Sequence, residues 1–184
     1  MKTVASPAEV IDLWFSPETQ KLWFASTPAF DAELRERFEA TWQAARDGEL
    51  GHWEDTAAGA LALVIVLDQF PLNMYRGLPL AFSTEAASRA VAARALARGL
   101  DERLDEAQKP FLYLPYMHSE DLADQDRSVE LFERAGLTDG LKWARHHREI
   151  VRRFGRFPHR NAILSRESTR AELDWLAGEE AFHG

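Results

Sequence analysis

Apolar residues recur along the chain at helical spacing, and capping residues mark where the helices begin. Ser6, Pro7 and Glu9 have the pattern of a helix start with a capping box. A second start at Thr27 precedes an apolar stripe in which successive members are four residues apart: Phe30, Leu34, Phe38 and Trp42. The chain therefore opens with two helices, the second of them clearly amphipathic.

Residues 55–70 are apolar on nearly every side of a helix, which is typical of a helix in the middle of a bundle. The β-branched residues of this segment also suit a buried strand. Its length, its alanine-rich start and the lack of a strand partner elsewhere favour a helix. Because proline has no backbone N–H, we expect Pro71 to end this helix.

Five further helices are expected from the same kinds of signal. Their expected starts are Ser83 or Thr84, the residue after Asp101, Ser119, Thr138, and the capping box formed by Thr169 and Glu172. The expected ends are Gly99, Tyr113 before the breaking proline Pro115, Gly136 and Gly155. No segment combines period-two alternation with turn residues. The sequence thus predicts an all-α single domain, residues 1–184, of about eight helices packed as antiparallel hairpins.

The composition narrows the environment and the partners. The chain has no cysteine, which excludes disulfides and thiolate metal sites and fits a reducing, cytoplasmic compartment. The start lacks the pattern of a secretory signal, and the longest apolar run, residues 57–67, is shorter than the roughly 20 residues of a spanning helix. A net charge of −8 argues against nucleic-acid binding. We expect a cytoplasmic protein with no membrane or nucleic-acid partner. No pattern in the sequence indicates its oligomeric state.

The charge is unevenly distributed. Residues 142–170 contain nine Lys or Arg and two acidic residues, although the whole chain is acidic. Such a segment either pairs with carboxylates of the same protein or forms a local anion site. Internal pairing together with solvated arginines is the commoner arrangement, so the charge excess alone does not decide between the two.

Three polar segments lie beside aromatic residues at expected helix ends: residues 68–77, 111–121 and 152–161. We expect these segments to meet around one site, because helix ends also offer backbone groups without partners. The candidate ligand-binding residues are Asp68, Gln69, Asn73, Arg76, His118, Glu120, Arg153, Arg156, His159, Arg160 and Asn161.

Several strings in these segments resemble a known bacterial family, domain of unknown function 924. The resemblance spans nearly the whole chain and is carried by Trp14-Phe15, Trp23-Phe24, Asp68-Gln69-Phe70-Pro71, Tyr113-Leu114-Pro115, Met117-His118-Ser119-Glu120 and Arg153-Phe154-Gly155-Arg156-Phe157-Pro158-His159-Arg160-Asn161. It implies a helical fold similar to that of tetratricopeptide-repeat proteins, and it implies no particular reaction. Two departures stand out, since the family usually has arginine where this chain has Leu72 and glycine where it has Ser165.

Two main hypotheses follow for the arginines. In the first, Arg76, Arg156 and Arg160 bind the carboxylate or phosphate of a small anionic ligand or an acidic peptide, which makes the protein a binding module. In the second, the same residues pair with Asp68, Glu120 and Asp121 in a purely structural network.

An enzyme is the alternative function. His118, His147 or His159 would act as a general base in a hydrolase or another acid/base enzyme, with Asp68 as a candidate catalytic carboxylate. No nucleophile elbow or oxyanion motif accompanies these residues. The histidine spacing does not match a metal-ligand motif either, so we predict no metal and no cofactor.

Overall fold

The computed structural model describes residues 3–178 and Ala181. This part of the chain contains nine α-helices and no β-strand, which confirms the all-α prediction. The helices are α1 (Pro7–Trp14), α2 (Pro17–Gln20), α3 (Pro28–Arg46), α4 (Ala57–Met74), α5 (Glu85–Ala97), α6 (Lys109–Met117), α7 (Leu122–Arg134), α8 (Thr138–Phe154) and α9 (Arg170–Leu176). Single-turn 3-10 helices lie between them at Gly51–Asp55, Pro79–Phe82, Leu100–Arg103 and Pro158–Arg160.

The described residues form two compact units. The first consists of the residues up to Arg76 and of Leu80–Pro115, and it contains α1 to α5 and most of α6. The second consists of Gly77–Pro79 and the described residues from Tyr116 onward, and it contains α7 to α9. The single domain over residues 1–184 and the tetratricopeptide-like packing stay predictions.

Helix starts that carry a capping box are the most accurately predicted features. Ser6 N donates to Glu9 Oε2 at 2.8 Å, and Glu9 N donates to Ser6 Oγ at 3.3 Å. Thr169 and Glu172 make the same reciprocal pair of bonds at the start of α9, at 2.7 and 3.2 Å. Both boxes satisfy backbone N–H groups of the first helical turn, which have no partner inside the helix.

Three predicted starts are wrong. The helix expected to begin after Asp101 begins only at Lys109, because Leu100–Arg103 forms a separate 3-10 helix. Ser119 does not cap α7; Asp121 does, and its Oδ1 accepts from the N–H groups of Ala123 at 2.8 Å and of Asp124 at 3.3 Å. Ser119 lies two residues before this cap, and its hydroxyl accepts from Asp121 N and donates to Asp124 Oδ2. Thr138 is the first helical residue of α8 and not its cap. An aspartate is at least as good a cap as a serine, so residue type alone could not choose between them.

The two prolines expected to stop helices lie inside them. Pro71 is within α4, which continues to Met74, and Pro115 is within α6, which continues to Met117. A proline inside a helix removes one N–H, and the carbonyl four residues earlier loses its partner. The helix can continue where that carbonyl finds another donor.

For Pro71 this other donor is a threonine hydroxyl. Thr84 Oγ1 donates to the carbonyl oxygen of Leu67, four residues before Pro71, at 2.5 Å. The same hydroxyl oxygen accepts from Trp42 Nε1 at 3.2 Å. Thr84 is the N-cap residue of α5, as predicted, but its side chain makes no capping bond because it serves α4 instead.

The core of the first unit is built around α4. This helix packs against α1, α3 and α5, and Leu61, Val64 and Ile65 are completely buried. It is the one described helix long and apolar enough to cross a membrane, and 83% of it is buried inside the structure, as in the core helix of a soluble protein. Its end packs into an aromatic cluster, where the rings of Trp14 and Phe70 are 5.7 Å apart.

The second unit is based on a hairpin of α7 and α8. Phe132 of α7 lies directly against Gly140 of α8, where a Cβ would collide with the phenyl ring. Farther along α8, Ile150 and Val151 pack with Phe157, which follows the helix. Val129, Leu131 and Phe132 of α7 are buried as well, and the ion pairs of this unit add to these apolar contacts.

Candidate functional site

Asp68 and Gln69 of the first polar segment lie inside α4 in the first unit. Asp68 is 1% exposed, and Gln69 Nε2 donates to its Oδ2 at 2.6 Å. The sequence suggested both as ligand-binding residues and Asp68 as a catalytic carboxylate. Their burial makes them part of the interior, and neither role is tested by the structure.

Asn73 and Arg76 converge on a carboxylate that the sequence did not single out. Asp31, in the first turn of α3, accepts from Arg76 Nε at 2.8 Å, from Asn73 Nδ2 at 2.9 Å and from Ser26 Oγ at 2.7 Å. Burial acts in the opposite direction, but the hydrogen bonds from Arg76, Ser26 and Asn73 hold the pKa of Asp31 below its usual value. Arg76 therefore has an ion-pair partner within its own unit.

In the second unit, Arg156 forms a bidentate ion pair with Glu172. Its Nε and Nη2 atoms donate to the two carboxylate oxygens at 2.7 and 2.9 Å. Glu172 also accepts from Thr169 N and from Asn161 Nδ2, and its side chain is 2% exposed. The Arg156 guanidinium and these other donors lower the pKa of Glu172 to about 2, against the effect of burial. The carboxylate is thus charged and fully engaged at neutral pH.

A second bidentate pair joins the second and third polar segments. Arg166 donates to both oxygens of Glu120 at 2.7 and 2.9 Å, and Phe157 N donates to Glu120 Oε1 at 2.7 Å. Arg166 Nε also donates to Asn161 Oδ1 at 3.0 Å. Although burial opposes the shift, the Arg166 guanidinium and the Phe157 N–H lower the pKa of Glu120.

Three candidate histidines lie close together in the same unit. His147 is 6% exposed, and its Nδ1 is 2.9 Å from the carbonyl oxygen of Trp143. Since a carbonyl only accepts, we assign the proton to Nδ1 and the lone pair to Nε2. The Phe157 ring is 5.6 Å from the rings of both His147 and His159. Burial, together with the neighbouring charges of His118, His146 and His159, lowers the pKa of His147 to about 3, although the bond to Trp143 opposes the shift.

This low basicity bears on the hydrolase hypothesis. A general base works best when its pKa is near the operating pH, and His147 is far below that range. Arg160 lies next to the cluster, where its Nη2 donates to the carbonyl oxygen of His118 at 3.1 Å and its guanidinium is 4.8 Å from the centre of the Phe157 ring. The surroundings of His147 therefore favour a neutral imidazole with a structural role.

The basic excess of residues 142–170 is largely neutralised within the second unit. Among the described residues, six of the nine basic side chains in this range form ion pairs: Arg145–Glu133, Arg148–Asp126, Arg152–Glu149, Arg156–Glu172, Arg166–Glu120 and Arg170–Asp174. Internal pairing, the commoner of the two arrangements, is thus the rule here.

One basic residue of this range lines a surface depression without such a partner. The depression has a volume of about 520 Å³ and is lined by Arg153, Phe154, Arg156, Thr169, Ala171 and Glu172. The Arg153 guanidinium lies 4.8 Å from the centre of the Phe154 ring. Within the described part of the chain, Arg153 forms no ion pair.

The structure brings together two of the three predicted segments. His118, Glu120, Arg153, Arg156, His159, Arg160 and Asn161 all belong to the second unit, and Asp68, Gln69, Asn73 and Arg76 belong to the first. A single site that includes all three segments stays a prediction. The sequence interpretation missed Arg166, Glu172 as an ion-pair partner, and Asp31. Glu172 was recognised only as a capping residue, and Arg166 is one more arginine in the basic range, so neither carried a pairing signal.

No group of three or more His, Cys, Asp or Glu residues in the described ranges could hold a metal ion. The three clustered histidines are included in that statement. What the site offers instead is two carboxylates held by arginines, a buried imidazole, and one arginine beside an aromatic ring.

Comparisons with known proteins agree with the family resemblance. The family model described as "Bacterial protein of unknown function (DUF924)" matches residues 10–180. The solved structure of a protein of unknown function from Agrobacterium tumefaciens is 41% identical, with a TM-score of 0.86, and the match covers 93% of this chain and 96% of that one. No curated protein matches the chain. The match over residues 10–180 shows that the chain belongs to this bacterial family, whose function is unknown.

Proposed function

We propose that the protein is a helical binding module that takes up a small anionic ligand or an acidic peptide at the depression in the second unit. The observation that carries the proposal is Arg153, which lines the depression and has no carboxylate partner among the described residues. A binding site for an anion needs a cation that is not already neutralised by the protein.

The other candidate arginines are less suitable. Arg76 is paired with Asp31, Arg156 is paired with Glu172, and Arg160 donates to a backbone carbonyl. A ligand that used them would have to compete with hydrogen bonds of 2.7 to 3.1 Å that already exist. These contacts support a structural role for the three arginines and leave Arg153 as the residue that contacts the ligand.

The lining of the depression suits a carboxylate or a phosphate. The Thr169 oxygen accepts from Glu172 N, which leaves its O–H able to donate to a ligand. Arg156 uses Nε and Nη2 on protein partners, and its Nη1 makes no hydrogen bond within the described ranges. The negative charge of Glu172 is offset by Arg156. Phe154 holds the Arg153 guanidinium from one side and gives an apolar part of the ligand a surface to pack on.

Isothermal titration calorimetry with matched variants tests this function. The probes are inorganic phosphate, succinate, and an acetylated peptide that ends in two acidic residues. Arg153→Ala should weaken binding of the best probe about 10- to 100-fold, the effect of losing a charge-assisted hydrogen bond. Arg152→Ala is the matched control, because Arg152 is the neighbouring exposed arginine, is paired with Glu149 and does not line the depression.

The proposal fails if no probe binds the wild-type protein, or if the two variants lose affinity equally. Equal loss would indicate a general effect of positive charge. Turnover of an ester or phosphate substrate that disappears in His159→Ala would favour the hydrolase instead. A large loss of stability in Arg156→Ala without any ligand effect would favour a purely structural network.

The cellular setting is part of the same proposal. The absence of cysteine from the chain and the burial of α4 support a cytoplasmic protein without a membrane partner. The net charge of −8 and the internal pairing of the basic range support a partner other than nucleic acid.

A further inference from the structure

The depression in the second unit contains three charged side chains, and two of them neutralise each other. Arg156 and Glu172 form a bidentate ion pair, whereas Arg153 has no ion-pair partner among the described residues. Within the part of the chain that the structure describes, the lining therefore carries one net positive charge. A single negative charge on a ligand is enough to balance it.

Glu172 opposes the entry of a second negative charge. Its side chain is 2% exposed, and the Arg156 guanidinium, with Thr169 N and Asn161 Nδ2, lowers its pKa to about 2 against the effect of burial. The carboxylate therefore stays ionised at neutral pH and takes up no proton when another anion approaches. Like charges at short range repel each other, so a dianion is at a disadvantage here.

The depression also has more room and more apolar surface than an isolated carboxylate needs. Its volume is about 520 Å³, within the ~300–1,000 Å³ range of sites for small organic ligands. Phe154 and Ala171 supply apolar lining. The Phe154 ring lies 5.6 Å from the ring of Trp175, and both pack against the apolar cluster of the second unit, which fixes their position. A ring or an alkyl chain of a ligand can pack on this surface.

We infer that the ligand of this depression is a monocarboxylate with an apolar body, such as a short-chain acid that carries an aromatic ring. Its carboxylate binds Arg153 and accepts from the Thr169 hydroxyl, and its body lies on Phe154 and Ala171. A second carboxylate would meet Glu172 and no unneutralised cation among the described residues. The inference rests on the proposed function, since it assigns a ligand class to the same depression, and it excludes acidic peptides and dianions from that class.

Calorimetry with four acids that differ by one group at a time measures both requirements in the wild-type protein. The acids are propionate, 3-phenylpropionate, succinate and phenylsuccinate, at pH 7.5 and constant ionic strength. We expect 3-phenylpropionate to bind most tightly. Propionate should bind about 5- to 10-fold more weakly, the effect of burying roughly half of a phenyl ring. Phenylsuccinate, which adds only a carboxylate to 3-phenylpropionate, should bind about 3- to 10-fold more weakly.

Two variants test the part that Glu172 plays in this preference. Glu172→Gln removes the negative charge and leaves Arg156 unneutralised, so phenylsuccinate should bind at least as tightly as 3-phenylpropionate. Ala171→Lys should give the same reversal by adding a cation to the lining, and it leaves the buried ion pair intact because Ala171 is exposed. Asp174→Asn is the matched control. It changes the net charge by the same amount on the same helix, but Asp174 does not line the depression, so the wild-type preference should remain.

The results distinguish a wrong ligand class from a wrong function. A dicarboxylate that binds the wild type as tightly as its matching monocarboxylate, or propionate that binds as tightly as 3-phenylpropionate, overturns the inference and leaves the anion site in place. A preference for 3-phenylpropionate that survives in both Glu172→Gln and Ala171→Lys also overturns it. If none of the four acids binds, the inference is wrong, and the proposed function fails with it when phosphate and the acidic peptide do not bind either. The wild-type comparison requires no variant to fold.

Discussion

The two units hold their polar groups in different ways. In the first unit, Asp31 pairs with an arginine whose side chain is 57% exposed, and the core around α4 is mostly apolar, with Asp68 and Gln69 buried in it. In the second unit, the Glu172 side chain is almost completely buried and that of Arg156 is 27% exposed. The arginine of the ion pair in the first unit is thus open to solvent, whereas both partners of the pair in the second unit are mostly buried.

This difference has a physical consequence. Exposed ion pairs contribute little to stability, about 0–1 kcal/mol. A buried pair adds little overall as well, because desolvation offsets the attraction, but the loss of one partner leaves an uncompensated charge. Substitution of the buried Glu172 should therefore have a large effect, and in the first unit the buried Thr84 should be more sensitive than the exposed Arg76.

The largest expected effect is that of Glu172→Ala. The change removes both oxygens that bind Arg156 and the acceptors for Thr169 N and Asn161 Nδ2. We expect a loss of about 3 kcal/mol in the free energy of unfolding, the low end for a buried pair because Arg156 is partly exposed. Urea denaturation at pH 7 measures it.

The control for Glu172→Ala lies on the same helix. Asp174 pairs with Arg170 on the surface, so Asp174→Ala should change the free energy of unfolding by less than about 0.5 kcal/mol. Equal effects of the two substitutions would show that the second unit does not depend on its buried carboxylate, and the contrast between the units would disappear.

A smaller effect is expected in the first unit for Thr84→Val. The variant keeps the shape of the side chain but removes the donor to Leu67 O and the acceptor for Trp42 Nε1. Leaving buried polar groups without partners should cost about 2 kcal/mol of unfolding free energy, measured by urea denaturation. The effect should not vary between pH 7 and pH 5, because no ionisable group is involved.

Pro71→Ala tests the cause of this effect. An alanine restores the N–H that can donate to Leu67 O, so Thr84→Val should cost about 1 kcal/mol less in the Pro71→Ala background. If the two changes are additive, the Thr84 hydroxyl does not replace the missing N–H of the proline.

The same proline shows where sequence interpretation succeeds and fails. The capping boxes at Ser6 and Thr169 are local, since cap and partner are three residues apart, and both were predicted correctly. Pro71 was expected to end α4 because its missing N–H is also a local signal, which acts on the carbonyl four residues earlier. The threonine that rescues the helix lies 13 residues beyond the proline, and no periodicity indicates that contact.

The candidate site was predictable in composition and not in pairing. The arginines and carboxylates of the second unit are nearly all in the polar segments or the basic range. Which arginine binds which carboxylate depends on turns such as the one before Arg166, which brings that residue to Glu120, 46 positions earlier. Only the fold showed that Arg156 is paired and that Arg153 has no ion-pair partner in the described part of the chain.

The turn before Arg166 also gives the smallest prediction. Ser165 has a φ of 54°, the left-handed region, and it is the one described residue other than glycine with a positive φ. Arg166 N donates to Asn161 O at 2.8 Å and Ser165 N to Ala162 O at 3.4 Å, the bonds of a Schellman motif, in which glycine is usual at this position. This turn brings Arg166 to Glu120.

Ser165→Gly should therefore stabilise the protein. A non-glycine residue in this region costs about 1–2 kcal/mol of backbone strain, which glycine would remove. Glycine also gives the unfolded chain more conformational freedom, which lowers stability by about 0.4–1 kcal/mol. We therefore expect a net gain of roughly 0.5–1 kcal/mol in the free energy of unfolding. Thermal unfolding should show a midpoint about 2–3 °C higher. The reverse change, Gly155→Ser, is the matched control: Gly155 has a φ of 70° with open space around it, so only backbone strain opposes a side chain there and a similar loss is expected. Ser165→Gly could leave the free energy of unfolding unchanged while Gly155→Ser lowers it. That result would mean that the Arg166–Glu120 pair, and not the turn, limits the stability of the second unit.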